Sequence, residues 1–365
     1  MKSILTALLL VAACIPADAQ VRGEFLLTNH GGKGDGVFDN APVLNTLIDQ
    51  LPNTGGSIVI PHGDFRIGAP VVVRKSFVTI RGLGRSSRLV VGSGVADGIL
   101  VPDEATRISG VVLRDFHIAG TDWGIYQTGL KIDRGNDGIH VDQMNFTQLS
   151  RGIFIRASDA LQVTGCNVSQ SQSSLFLAGG IMGVVTRNRF SGYSGGITVE
   201  LADLDRLQFS SNIISPDGHT ALQLRNAHNC NLSGNSIRTW YTGAVEIDGN
   251  MNCLSGNQLS AVQVNGQWLP DPRGRDGLWG LVRIAGNDNS ITAGSILSWQ
   301  PENDIRVNVT GGERTTLRDL TIGAVGSNKK INVDPAANWP RITHCGWPQE
   351  TNLNGNPTAR VIYDP

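Results

Sequence analysis

The chain has 365 residues, of which 45 are glycine and only 17% are charged. Its formal net charge of −1 gives no electrostatic footprint for binding nucleic acid or a membrane surface, which argues against those classes of protein. Turn residues recur at short intervals and long helix-forming runs are few, which is typical of an all-β chain with many corners.

The first 19 residues have the features of a secretory signal peptide. A basic start at Met1–Ser3 precedes an apolar run from Ile4 to Cys14, and Pro16–Ala19 forms the small-x-small pattern of a cleavage site. The apolar run is too short to span a bilayer. We therefore expect export to a periplasm or beyond the cell. The alternative is a lipid anchor on Cys14, because Val11–Cys14 resembles a bacterial lipobox.

A short helix is predicted near the amino end of the mature chain. Residues 31–40 form a turn-rich loop, and residues 41–51 follow with one apolar helical face. That face consists of Val43, Leu44, Leu47, Ile48 and Leu51. From residue 55 to 118 the pattern changes to strands separated by glycine turns. We expect the helix to cover the open end of a stack of strands, which otherwise exposes apolar rungs and unpaired backbone.

The middle of the chain repeats itself with a period just above twenty residues. Five short phrases carry an asparagine, namely Asn167, Asn188, Asn212, Asn235 and Asn257. Each phrase follows one β-rich run and precedes another, and no helical pattern intervenes. This pattern predicts a single-stranded right-handed parallel β-helix over residues 20–340, with an irregular tail over residues 341–365. We expect each asparagine to occupy the same bend of its coil, where stacked amides can bond to each other.

The cysteines allow one disulfide within this scheme. Cys230 and Cys253 lie about one coil apart, and neighbouring rungs are about 5 Å apart, within disulfide reach. The alternative is that both are small buried residues in an inward stack. The sequence has no Cys-x-x-Cys motif, no histidine-rich metal spacing and no phosphate loop, so we expect neither a metal nor a cofactor.

Several blocks of the chain, in order and with similar spacing, resemble the inulin fructotransferase family. The blocks are Ser109–Phe116, Thr128–Asp133, Asn136–Asp137, Arg156–Thr164 and Leu278–Ile291. The segment over residues 31–67 is similar to the opening of many pectin-lyase-like β-helix proteins. The resemblance implies a secreted β-helix that assembles as a homotrimer and acts on fructans or difructose anhydrides.

The resemblance also locates the departure of this chain from the family. The two catalytic acids of the family fall at Gly165 and Phe176, and neither residue can ionise. Three interpretations follow: the acids have moved, the reaction has changed, or activity has been lost.

Residues in later coils show where acids could have moved. Aligning the coils places Phe176, Glu200, Gln223 and Glu246 in one column, and Ala178, Ala202, Arg225 and Asp248 in a second column two residues on. Charges are costly in a dry core, so this face is expected to point outward. Two rungs, about 9.6 Å between backbones, separate Glu200 from Glu246.

Side chains can converge from that distance to the separation of paired glycosidase carboxylates. We therefore predict Glu200 and Glu246 as catalytic, and Arg225, Asp248 and Gln223 as substrate-binding. The alternative is an ordinary charged ladder on a solvated sheet.

Aromatic residues crowd into the later part of the chain. Trp240, Trp268 and Trp279 are candidates for stacking against sugar rings, whose C–H faces are apolar. Trp268 lies in an insertion over residues 264–276 that breaks the coil period, and such excursions line a binding face or a subunit interface. The alternative role of this insertion is oligomer packing.

The sequence thus favours a secreted carbohydrate-active enzyme that cleaves fructan or difructose-anhydride type bonds, or transfers fructosyl groups within them. Carboxylates would supply the acid–base chemistry, without a metal. One alternative is a polysaccharide lyase or epimerase of the pectin-lyase-like class, against which the near-neutral charge and the lack of an aspartate cluster count. Another is a non-catalytic β-helix that binds glycan or assembles a surface structure.

Overall fold

The structure is a computed structural model. It describes residues 23–103, 107–121, 127–133, 135–192, 196–215, 220–239, 244–261, 281–298, 307–324, 331–343, 345, 351–352 and 355–362. The signal peptide predicted over residues 1–19 lies outside the described residues. Within the described part of the chain, no helix has the length and apolar character needed to cross a membrane.

The chain winds into a parallel β-helix, so the fold class predicted from the repeat is confirmed. Each turn contributes strands to three faces, which we call A, B and C in chain order. Face A is a 14-stranded parallel sheet. Its strands are Glu24–Leu26, Gly56–Val59, Val78–Arg81, Val112–Arg114, His140–Asp142, Gln162–Thr164, Val184–Thr186, Gln208–Ser210, Asn231–Ser233, Cys253–Ser255, Ser290–Thr292, Thr316–Arg318, Arg341–Thr343 and Arg360–Ile362.

Faces B and C together form a 21-stranded sheet. Face B contains Gly63–Ile67, Ser87–Val91, His117–Ala119, Arg189–Gly192, Ile213–Ile214, Ser236–Thr239, Gln258–Ala261, Ser295–Ser298 and Thr321–Ala324. Face C contains Val71–Val72, Asp97–Val101, Thr128–Ile132, Ile197–Asp205, Thr220–Arg225, Val245–Asp248, Val282–Ala285, Val307–Val309, Ile331–Val333 and Thr351–Asn352. The long strands Asn145–Arg156 and Asn167–Ile181 run from face B into face C, and a two-stranded sheet pairs Gly312–Glu313 with Ala337–Asn338.

One α-helix, Ala41–Gln50, lies at the amino end of the described chain, next to a 3-10 turn at Leu27–His30. Proline in its first turn is pre-organised for a helix start. Its apolar face is buried, with Leu44, Leu47 and Ile48 at most 2% exposed, and it packs into the same core as the strands. The predicted amphipathic helix is therefore confirmed.

A ladder of buried amides runs along the corner between faces A and B. The side-chain oxygen of Asn212 accepts hydrogen bonds from the backbone and the side-chain nitrogen of Asn188, each at 3.0 Å. Asn235 and Asn257 repeat the arrangement on the following coils. Cys166 ends the ladder, because its backbone N–H donates to Asn188 and its side chain offers no amide. The predicted asparagine ladder is present over four coils.

Asn167 is not a member of this ladder. It pairs with Arg189, one residue after Asn188, so the inward position of that coil belongs to Cys166. The prediction that Asn167 occupies the repeated bend was wrong by one residue. In the Gly-Cys-Asn phrase the bend position is Cys166, and the asparagine is the residue after it.

Of the two alternatives for Cys230 and Cys253, the disulfide is not formed. All four described cysteines are free thiols. Cys253 lies opposite Asn231 in the register, whereas Cys230 donates its backbone N–H to Asn252. The two thiols are thus offset by one residue, which turns the two side chains to opposite sides of the wall.

Face A also continues past residue 340, because Arg341–Thr343 and Arg360–Ile362 add two parallel strands within the segment predicted as an irregular tail.

Candidate active site

Face C carries the predicted columns in the expected register. Phe176 lies opposite Glu200, Glu200 opposite Gln223, and Gln223 opposite Glu246. The second column aligns Ala178, Ala202, Arg225 and Asp248 in the same way. Leucine, isoleucine and valine fill the alternate positions of these strands and are buried, so the columns point away from the core.

Glu200 and Arg225 form an ion pair on this outward face. The Nη2 atom of Arg225 donates to Oε1 of Glu200 at 3.1 Å. The Glu200 side chain is 20% exposed and that of Arg225 is 51% exposed. Arg225 reaches diagonally, because its own rung neighbour in the preceding coil is Ala202, whose small side chain leaves room for the guanidinium. This contact fixes Glu200 at the surface of the face.

Glu246 is the more enclosed of the two acids, with only 6% of the residue exposed. Its Oε2 accepts a hydrogen bond from the Gln223 amide at 2.8 Å, and its Oε1 accepts one from the Thr220 hydroxyl at 3.3 Å. Buried polar atoms are normally hydrogen-bonded, and both carboxyl oxygens of Glu246 are. Gln223 therefore sits on the rung between the two acids and binds one of them.

The remaining predicted binding residues divide into two groups. Asp248 is exposed in the rung beside Arg225, next to the acid pair. Trp240, Trp268 and Trp279 lie outside the described residues, so their predicted role in stacking against sugars stays a prediction.

Three residues next to Phe176, at the amino end of the same stripe, were not found from the sequence columns: Arg151, Phe154 and Arg156. The rings of Phe154 and Phe176 stack with centroids 4.6 Å apart and an interplanar angle of 10°. The guanidinium carbons of Arg151 and Arg156 lie 5.1 and 4.9 Å from the centre of the Phe154 ring. The 22-residue spacing between the two phenylalanines was the available signal, because it is one coil. Phe176 is thus held in a stack at the position where the resemblance places a family acid.

Gly165, the other position matched to a family acid, lies at the far corner of the same coil, between faces A and B. It borders an open polar cleft of about 470 Å³. The side chains around it include Arg85, Asp115, Asp142 and Arg187. Asp115 is held by Arg114, whose Nε donates to Oδ2 at 2.7 Å. The cleft is therefore lined by both acidic and basic side chains, although Gly165, the position matched to a family acid, contributes no ionisable group.

The comparisons with known proteins support the sequence resemblance. A family model described as "Periplasmic copper-binding protein (NosD)" matches residues 89–268. An inulin fructotransferase (DFA-I-forming) from Arthrobacter globiformis is 24% identical over an alignment of 304 residues, and the match covers 70% of this chain and 75% of that enzyme.

Solved structures share the fold over nearly the whole chain. DFA-IIIase from Arthrobacter chlorophenolicus A6, without its lid and in complex with GF2, has a TM-score of 0.83 at 19% identity, covering 94% of this chain and 99% of that one. The same enzyme in complex with DFA-III has a TM-score of 0.77 at 18% identity, covering 92% and 99%. The chain is thus similar in sequence to an inulin fructotransferase and has the β-helix fold of DFA-IIIase.

Proposed function

We propose that this protein is an exported enzyme that acts on fructan or difructose-anhydride type glycosidic bonds. Two relatives support the substrate class, because one is named an inulin fructotransferase and the other was solved with GF2 and with DFA-III. The first 19 residues support export, and the resemblance to the inulin fructotransferases supports a homotrimer. The proposal assigns the chemistry to Glu200 and Glu246, since the positions matched to the family acids are Gly165 and Phe176.

The observation that carries the assignment is the placement of two carboxyl groups in one outward column, each held by a different neighbour. Arg225 binds Glu200, and Gln223 binds Glu246. A glycosidic bond needs one group to protonate the leaving oxygen and a second to activate the attacking group or stabilise the sugar. The pair supplies both, and Arg225, Gln223 and Asp248 surround it with groups that bind sugar hydroxyls.

The spacing of the pair bears on the course of the reaction. Two rungs separate the backbones by about 10 Å, and Gln223 occupies the rung between. Carboxyl groups about 5 Å apart act by a covalent intermediate, whereas a separation of about 6.5–9.5 Å leaves room for an attacking molecule. The proposed course is therefore a single displacement. One glutamate, ionised, takes the proton of an attacking water or of a hydroxyl of a neighbouring sugar as that oxygen bonds to the anomeric carbon, and the other, protonated, gives its proton to the leaving oxygen as the glycosidic bond breaks.

Copper is not part of the proposal. The family model that matches residues 89–268 is named for copper, but the described residues contain no group of three or more histidine, cysteine, aspartate or glutamate side chains able to hold a metal ion. The four described thiols are free, and burial raises the pKa of the Cys166 thiol to about 12 and that of Cys230 to about 11. Such thiols are protonated at neutral pH and poor ligands for a metal.

The test is a product analysis. The purified protein is incubated with inulin, levan, difructose anhydrides and, as a contrast, uronate polymers, and the products are separated and identified. The proposal expects cleavage or cyclisation of at least one fructan or difructose anhydride and no change in the uronates. Unsaturated products from a uronate polymer, with the fructans untouched, would replace the proposal by the lyase alternative.

A further inference from the structure

We propose that face C carries a second element of recognition, a subsite formed by Arg151 and Arg156 that binds an anionic group on the saccharide. The anionic group is a carboxylate or a sulfate or phosphate ester, all of which present two or more oxygens to a guanidinium. The proposal rests on the proposed function only in taking the ligand to be a saccharide that also contacts Glu200.

The two guanidinium groups are placed by an aromatic stack. Both lie about 5 Å from the centre of the Phe154 ring, at 5.1 and 4.9 Å, and the ring is itself stacked on Phe176. Attraction between a cation and an aromatic ring limits the freedom of two long side chains. Phe154 is only 6% exposed, so the surface that a ligand meets here is mainly the two exposed arginines.

The nearest described acids are paired with a lysine and not with these arginines, although Asp97 lies close enough to Arg151 to feel its charge. Asp97 and Asp133 lie on either side of Lys131, with Oδ2 atoms 3.9 and 3.3 Å from its Nζ. Burial raises the pKa of Asp97, although Lys131 and Arg151 lie near enough to oppose that rise. Among the described residues, Arg151 and Arg156 form neither an ion pair nor a side-chain hydrogen bond with an acid. Two positive charges therefore remain available to a ligand.

The subsite lies on the same stripe as the proposed catalytic pair. Phe154 is paired with Phe176, and Phe176 with Glu200, so two rungs or about 10 Å separate the arginines from the nearer acid. A short oligosaccharide lying along the stripe contacts both. Ordinary sugar hydroxyls do not need two unpaired guanidinium groups, whereas an oxyanion binds them with charge-assisted hydrogen bonds.

The experiment compares two ligands that differ in one group. The probes are a neutral inulin trisaccharide and the same trisaccharide oxidised at a primary hydroxyl to a carboxylate, and binding to the full mature protein is measured by calorimetry at low and high salt. We expect the carboxylated probe to bind about tenfold more tightly at low salt, and the preference to shrink as salt screens the charges.

Variants assign the preference to the two arginines. Arg151→Gln with Arg156→Gln should remove it, and Arg151→Lys with Arg156→Lys should retain part of it, because charge remains while the fork geometry is lost. The matched control is Arg189→Gln with Arg238→Gln, which removes the same charge from exposed positions on face B and should leave the preference unchanged.

The outcomes separate this inference from the proposed function. Equal binding of the two probes, no binding of either, or an equal loss in the face B control would overturn the subsite. Turnover of neutral fructans without a preference for the carboxylated probe would leave the proposed function standing. An arginine-dependent preference without turnover of any fructan would support the subsite and would contradict the proposed function.

Discussion

Replacing Asn212 by alanine should destabilise the β-helix far more than removing an amide from its surface. Asn212 is fully buried, and its side chain accepts two hydrogen bonds from Asn188. It also donates to the carbonyl of Val185 at 3.0 Å and to the Asn235 oxygen at 3.1 Å. Alanine removes these four hydrogen bonds and leaves the Asn188 backbone N–H without its acceptor, whereas the Asn188 amide and the Asn235 oxygen each keep one other partner. A lost bond costs about 1 kcal/mol and an unsatisfied buried group about 1–3 kcal/mol. Allowing for partial relaxation, we expect a loss of about 3–5 kcal/mol.

The assay is urea unfolding of Asn212→Ala beside Gln208→Ala. Gln208 lies exposed on face A in the same coil and accepts a hydrogen bond from the Asn231 amide at 3.1 Å, so its removal breaks a similar bond in water. We expect the surface variant to lose less than about 0.5 kcal/mol. If the two variants were equally stable, the amide ladder would not be a source of stability in the stack.

Three further predictions test other parts of the molecule. Burial, followed by Arg88 and Arg85, lowers the pKa of His117 to about 4, so between pH 6.5 and 4 the unfolded chain binds a proton that the folded chain does not. Stability should fall as the pH drops through that window, and His117→Gln should flatten a thermal-unfolding profile there; an unchanged profile would exclude this source. Gly165→Asp should lower the free energy of unfolding by only about 1 kcal/mol, although the φ of Gly165 is +64°. Asp115 and Arg187 adopt the same left-handed conformation in the same column, and the added Cβ meets the nearest atom, of Gln143, at an ordinary 3.4 Å. A failure to fold in an unfolding experiment would show that this corner tolerates only glycine. Finally, NMR of the first-formed product should show inversion at the anomeric carbon, and retention would contradict the single displacement.

The fold was predictable because a solenoid repeats one local pattern many times. The spacing of Asn188, Asn212, Asn235 and Asn257 reflects a physical column in which each amide bonds to the next, so the period survives differences in loop length. The same regularity placed Glu200 and Glu246 correctly in one outward column, since period-two alternation holds along every strand.

Errors arose where a shift of one residue matters. Asn167 and Cys166 are adjacent, and the period alone does not tell which of the two turns inward. The same ambiguity suggested a disulfide between Cys230 and Cys253, whose side chains the register sends to opposite sides of the wall. One-residue offsets reverse side-chain direction in a strand, so sequence spacing needs the hydrogen-bond register to decide them.

Part of the site depends on contacts across coils that no single-strand pattern contains. Arg225 binds Glu200 diagonally, and the two arginines beside Phe154 converge from positions five residues apart in one long strand. Their convergence depends on the bend by which Asn145–Arg156 passes from face B to face C.

The most direct test of the proposed site is the turnover of Glu200→Gln and Glu246→Gln on a fructan or difructose anhydride that the parent protein converts. Glutamine preserves size and hydrogen bonding but cannot transfer a proton, so each variant should lose about 10²-fold or more in kcat with an unchanged circular dichroism spectrum. The control is Glu313→Gln, which lies in the corner between faces C and A, two coils past Glu246, and is paired with Arg314; it should keep full activity. Near-normal turnover in both face C variants would contradict the account and leave the pair as ordinary surface charge.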